Sequence, residues 1–120
     1  MKRVLIVEDD ADIRASVSEL LETEGYEVVG AVNGREALAQ LRASAELPGV
    51  ILLDLMMPDM DGYQFREQQL ADDRLKDIPV VLMSAGGELG TKARALGVAG
   101  HLKKPFFDLD TILQTLAQFF

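Results

Sequence analysis

The sequence predicts an α/β domain in which a parallel five-stranded sheet carries helices on both faces. Three observations predict it. Short apolar runs such as Val4-Leu5-Ile6-Val7, Val50-Ile51-Leu52-Leu53 and Val80-Val81-Leu82-Met83 lie between turn signals, as strands buried on both faces do. The intervening stretches repeat apolar residues at helical spacing. The two patterns alternate along the whole chain, and such alternation builds a parallel sheet with right-handed crossovers.

The first strand is read over Arg3-Val4-Leu5-Ile6-Val7 and stops at Glu8-Asp9-Asp10. Asp10 is placed to cap a helix, because a carboxylate accepts bonds from the free amides of a first turn. Ile13, Val17, Leu20 and Leu21 give that helix its apolar face, and Gly25 ends it in a left-handed conformation. Glu27 to Ala31 reads as a second, weaker strand. Asn33 and Glu36 have the spacing of a capping box, before a helix that buries Ala37, Leu38 and Leu41. After the Pro48-Gly49 turn comes the strand Val50 to Asp54. Asp61 caps a third helix running to about Ala71, with Phe65 inward and Arg66-Glu67-Gln68-Gln69 read as a solvated face. A charged loop over 72–77 leads to a strand over 78–83, with Pro79 near its start, where a missing amide is tolerated. A short helix carries Leu89, Ala93 and Leu96, with Gly90 inside it and Gly97 closing it. Val98 to Lys103 holds the fifth strand, and Asp108 caps a last helix with Leu109, Ile112, Leu113, Leu116, Phe119 and Phe120.

Bulk composition bounds the function. A length of 120 residues fits one domain, 1–120, and 48% hydrophobic residues are enough for a normal core. Twelve basic against twenty acidic residues leave a net charge of −8, a surface that repels phosphate backbones and argues against direct nucleic-acid binding. The chain has no cysteine, which excludes disulfides, cysteine-ligated zinc and cysteine nucleophiles. No apolar run approaches the ~20 residues of a membrane span, and Met1-Lys2-Arg3-Val4 does not open a signal peptide. These features fit a cytoplasmic protein with no membrane partner.

In a parallel sheet the C-terminal strand ends share one edge. There the chain delivers Glu8, Asp9 and Asp10 after strand one, Asp54 at the end of strand three, Ser84 after strand four and Lys104 after strand five. In the flavodoxin-like order 2-1-3-4-5, strands one and three are neighbours at the switch point where such sheets bind ligands. Clustered carboxylates repel unless a cation neutralises them. A hard divalent ion with oxygen ligands, Mg²⁺ or Mn²⁺, is the natural one. Asp54 then reads as a carboxylate nucleophile for a phosphoryl group. Lys104 supplies a second positive charge, and Ser84 a hydroxyl for a phosphate oxygen. Each residue alone has a blander reading: Asp9 or Asp10 as a cap, Asp54 as a turn former, Lys104 as a solvated charge, Ser84-Ala85 as loop. Four separated segments meeting at one edge outweigh those readings.

The same segments carry a resemblance. Val4 to Asp10, Leu53-Asp54 with Met57-Pro58 and Asp61-Gly62, Ile78 to Val81, Ser84-Ala85 and Lys104-Pro105-Phe106 follow one another as they do in the receiver domain of two-component response regulators. The chain resembles the single-domain type found in chemotaxis and sporulation. The resemblance implies Asp54 as phosphoacceptor, Asp9 as a direct Mg²⁺ ligand, Glu8 as a ligand through water and the Met56 carbonyl as a third protein ligand. It implies Ser84, Ala85 and Lys104 around the phosphate, a cis bond before Pro105, and Ser84 with His101 as the switch pair. It also implies a sensor histidine kinase or phosphotransfer protein as donor and a downstream protein as reader, with no turnover on external substrates.

Three departures from the family pattern stand out. His101 occupies a position that commonly holds a larger aromatic, and its ring can carry charge, so protonation is expected to weaken the inward switch state. The stretch from Ser84 to Lys104 is short and rich in glycine at Gly86, Gly87 and Gly90, which implies a short or mobile fourth helix. Met56 and Gly86 offer no polar group to orient attacking water, so slow loss of the phosphoryl group is expected. The chain is read as either a stand-alone regulator or a receiver from a longer protein, and Phe119-Phe120 suits both. The main rival is a phosphorylation-independent interaction module of the same fold. An aspartate-nucleophile phosphatase would want an acid where Met56 stands, and a dinucleotide binder would want a G-x-G-x-x-G loop after strand one.

Overall fold

A computed structural model describes residues 2–55, 57, 59–84, 89–103 and 109–120. The described elements run β1 (Arg3–Val7), α1 (Ala11–Thr23), β2 (Glu27–Ala31), α2 (Gly34–Ala43), β3 (Val50–Asp54), α3 (Gly62–Leu70), β4 (Val80–Ser84), α4 (Leu89–Leu96), β5 (Gly100–Lys103) and α5 (Leu109–Ala117). All strand pairings are parallel and the sheet order is β2-β1-β3-β4-β5, the order expected from the sequence.

The strands alternate between two cores because successive side chains point to opposite faces. Leu5, Val7, Ile51, Leu53, Val80 and Leu82 pack with Ala37, Leu38 and Leu41 of α2, Phe65 of α3 and Ala93 of α4. Val4, Ile6, Val50, Leu52, Val81 and Met83 pack with Val17 and Leu21 of α1 and Ile112 and Leu116 of α5. The central strand β3 is buried at all five positions. The continuous apolar runs therefore mean two-sided burial, while β2, at the sheet edge, is half open.

Local signals set the helix ends. The Asp10 carboxylate accepts bonds from Asp12 N and Ile13 N. Asn33 accepts from Glu36 N, while the Glu36 carboxylate accepts from Gln40 Nε2 at 3.2 Å. Asp61 and Gln64 form a complete capping box at the start of α3. Gly25 and Gly97 stand at φ +91° and +66°, the left-handed conformation that closes α1 and α4.

Four expectations need correction. Leu20 is 39% exposed, because α1 turns only Val17 and Leu21 fully inward. The Arg66–Gln69 segment is not a solvated face: Arg66 and Gln69 are buried, and only Glu67 and Gln68 are exposed. The 72–77 stretch is not simply a charged loop, since Leu75 within it is buried. The strand expected over 78–83 runs over Val80–Ser84 instead, while the fifth strand, Gly100–Lys103, lies within the range expected for it. Pro79 still shares in the sheet through its carbonyl, which accepts from Ile51 N at 2.9 Å. The expected Asp108 cap lies outside the described residues.

Among the described residues no helix is long and apolar enough to cross a membrane.

Candidate metal and phosphoacceptor site

Neighbouring β1 and β3 carry the site. Val7 is in register with Leu53, so the residues that follow, Glu8-Asp9 and Asp54, leave the sheet side by side. A carboxylate oxygen of each of Glu8, Asp9 and Asp54 lies within 4.8 Å of the others. Glu8 and Asp54 are buried and Asp9 is exposed, so the cluster opens to solvent on the Asp9 side.

The backbone fixes these acids. Glu8 N donates to Ala31 O at 3.0 Å, continuing the β1–β2 ladder one residue past the strand. Arg14 Nη1 donates to Glu8 O at 2.7 Å, and its stem crosses Gly30, where an added Cβ would stand 3.1 Å from Arg14 Cδ. Glu8 Oε2 accepts from Asp10 N at 3.3 Å. Asp10 is committed to the α1 cap through two bonds, so the three consecutive acids divide between the cluster and the cap.

Beyond Asp54 the chain turns tightly into α3. Gly62 N donates to Leu55 O at 3.0 Å, and a Cβ on Gly62 would meet Asp54 O at 2.6 Å and Leu55 Cα at 2.7 Å. Only glycine permits that approach of backbone to backbone. Gly34 N donates to Met60 O at 2.9 Å, tying the same loop to α2. Asp59 stands at φ 64°, a conformation that aspartate tolerates better than most residues. Its Oδ2 accepts from Asn33 Nδ2 at 3.4 Å.

The other expected site residues are placed unevenly. Ser84 ends β4 in register with Lys103 of β5. His101 is in register with Leu82 and is exposed, at the mouth of a groove with Gly90, Ala93, Arg94 and Val98. Met56, Ala85, Lys104 and Pro105 lie outside the described residues. The sequence reading missed the loop-tying role of Gly34 and the buried pair Arg66 and Gln69. Periodicity offered a signal for the pair: Gly62, Phe65, Arg66 and Gln69 recur at one-face helical spacing, and all four are buried.

Three carboxylates this close repel one another and offer only hard oxygen donors, the donor set of Mg²⁺, Mn²⁺ or Ca²⁺. The donor set thus fits a divalent cation.

A profile of the response regulator receiver domain matches residues 4–117. Sporulation initiation phosphotransferase F of Bacillus subtilis is 34% identical over 120 residues, which cover 98% of this chain and 93% of that protein. The structure of chemotaxis protein CheY4 of Vibrio cholerae superposes with a TM-score of 0.88 at 35% identity, covering 100% of this chain and 99% of that one. Response regulator TrrA of Thermotoga maritima, solved in complex with Mg²⁺-BeF, superposes at 0.86 with 27% identity and full coverage of both chains. The chain spans under half the length of several other curated relatives that it matches, 46% of one and 42% of two more. By sequence and by fold, this chain belongs to the response regulator receiver domains, the phosphorylation-dependent signalling modules of two-component systems.

Proposed function

We propose that residues 1–120 act as one receiver domain in which Asp54 accepts a phosphoryl group from a phosphohistidine of a sensor kinase or phosphotransfer protein. The observation that carries this is the convergence of Glu8, Asp9 and Asp54 within 4.8 Å at the C-terminal edge of the sheet. An Asp54 carboxylate oxygen forms the new bond to phosphorus while the bond from phosphorus to the donor's imidazole nitrogen breaks. The electron pair leaves with the imidazole. Burial of Asp54 at 5% exposure keeps bulk water from competing at the carboxylate.

Asp9 and Asp54 would hold Mg²⁺ (or Mn²⁺) directly, with the Met56 carbonyl, and Glu8 would act through water. When bound, the ion supplies the positive charge that lets the acids share the pocket and that offsets charge on the phosphoryl oxygens. The Thermotoga maritima relative is in complex with Mg²⁺-BeF, which supports a magnesium site here. Glu8 is held rigid by Asp10 N and by its own backbone bonds, so it keeps the cluster's geometry rather than following the ion.

Ser84, Ala85 and Lys104 receive the phosphoryl oxygens in this reading, with Pro105 aiming Lys104. His101 is exposed, and it pairs with Ser84 by turning inward after phosphorylation. The modified state engages a downstream protein. The module transfers phosphate only to and from itself, in the cytoplasm, without direct nucleic-acid or membrane contact. Net charge −8 supports the last point.

Incubation with Mg²⁺ and acetyl phosphate, followed by intact-mass measurement, tests the proposal. One phosphate adduct is expected, lost in Asp54→Ala and suppressed by a chelator. An adduct that persists in Asp54→Ala moves the phosphoacceptor elsewhere. No adduct from acetyl phosphate or a histidine kinase supports the interaction-module reading instead.

A further inference from the structure

The loop that leads from Asp54 into α3 is held at both ends by the first residues of two helices. At its start, Gly62 N of α3 donates to Leu55 O at 3.0 Å. At its end, Gly34 N of α2 donates to Met60 O at 2.9 Å. The first amides of a helix have no acceptor within it, so both are free for this use. Residues 56–59 stand in the chain between the two bonded carbonyls. Met56, whose carbonyl the proposed metal site uses, is the first of them.

Both positions are glycine for space. Gly25, Gly97 and Asp59 take a positive φ, and neither Gly34 nor Gly62 does. A Cβ on Gly34 would stand 2.9 Å from Met60 O and from Met60 Cγ, and 3.0 Å from Phe65 Cβ. The Met60 side chain could swing aside, but its backbone oxygen moves only with the loop. On Gly62 the same atom would meet Asp54 O at 2.6 Å. The two glycines therefore press on opposite ends of one short segment.

Asn33 adds a third hold. Its Oδ1 accepts from Glu36 N at 2.8 Å, which caps α2, and its Nδ2 donates to Asp59 Oδ2 at 3.4 Å. One amide thus joins the helix cap to the residue at φ 64° inside the loop.

Mg²⁺ demands near-ideal octahedral geometry, while Ca²⁺ accepts a looser and more variable shell. A carbonyl ligand carried by a loop is only as well placed as the loop. We propose that Gly34, with Asn33, positions the metal site: the start of α2 clamps the phosphoacceptor loop so that the shell meets the geometry of Mg²⁺. Gly34 acts through Met60 O and is not itself a ligand. The proposal rests on the metal reading of Glu8, Asp9 and Asp54.

Calorimetric titration of Mg²⁺ and Ca²⁺ into the folded, unphosphorylated chain tests it. Gly34→Ala should weaken Mg²⁺ binding about tenfold or more, the usual loss when the groups supporting a ligand are disturbed. Ca²⁺ binding should weaken less than about threefold, because its shell adapts. Leu21→Ala, which opens a cavity on the α1 face, should leave both affinities unchanged, so lost stability alone does not mimic the effect. Asn33→Ser keeps a capping oxygen for Glu36 N and removes the amide that reaches Asp59. It should weaken Mg²⁺ binding about two- to fivefold, the worth of one hydrogen bond, and it carries the test if the alanine variant does not fold. Unchanged Mg²⁺ affinity in the variant tested, or equal losses for the two ions in Gly34→Ala, overturns the clamp and leaves the metal reading standing. A wild type that binds no Mg²⁺ overturns both together.

Discussion

Gly62 shows how one residue sets the geometry of the phosphoacceptor loop. A methyl at this position would press on Asp54 O and Leu55 Cα, which are backbone atoms and cannot swing away. Gly62→Ala is therefore expected to cost about 1–3 kcal/mol, read as a lower urea midpoint at unchanged slope. Because the displaced atoms belong to Asp54 and Leu55, phosphorylation by acetyl phosphate should slow in the same variant. The neighbouring positions of α1 offer a contrast at the same scale. Leu21 is fully buried, so Leu21→Ala should cost about 2–5 kcal/mol. Leu20→Gln should stay within about 0.5 kcal/mol, since Leu20 is 39% exposed. Equal losses in urea titrations of the two variants would contradict the placement of α1.

At the scale of elements, α3 is the least obvious in the sequence, and its side chains bond across to α4 and to the 75–78 segment in the structure. Its polar residues divide between solvent and core. Asp61 and Gln64 close the N-terminus with reciprocal bonds, and Asp61→Ala should lower stability by about 1 kcal/mol in thermal or urea unfolding. Arg66 and Gln69 face inward and satisfy carbonyls of α4 and of the 75–78 segment. Arg74 does the same for α2, donating to Leu41 O at 3.0 Å and to Ser44 O. Arginines from α3 and the segment after it thus hold the C-terminal ends of both flanking helices. These ends lie away from the sheet edge that carries the acids, so the frame is fixed on one side and the chemistry sits on the other.

For the whole molecule, the acidic cluster links stability to metal. Three carboxylates drawn together by folding repel, and less so in the unfolded chain, where they separate. Asp9→Asn should raise the melting temperature without metal. Mg²⁺ should raise that of the wild type, by the equivalent of about 2.7 kcal/mol at one hundred times its dissociation constant, and much less in Asp9→Asn. Calorimetry with and without a chelator checks both signs. A wild-type melting temperature indifferent to Mg²⁺ would remove the metal from the proposed chemistry.

Much of the molecule was legible in the sequence, and the reason is local. The apolar runs of β1 and β3 are buried on both faces, so they read as strands without knowledge of their neighbours. Asp10, Asn33 and Asp61 cap by bonding amides two or three residues away, and Gly25 and Gly97 turn the chain within their own dihedrals. Strand alternation then brings Glu8, Asp9 and Asp54 to one edge, which is why the acids could be grouped before any coordinates. Only the tertiary structure decided which polar residues leave water. Arg66 and Gln69 look like surface residues because a charge or amide is costly to bury alone. They are buried because the partners that offset the cost, at Leu75, Ile78, Leu96 and Gly97, lie up to thirty-one positions along the chain and come within reach only once the sheet has formed.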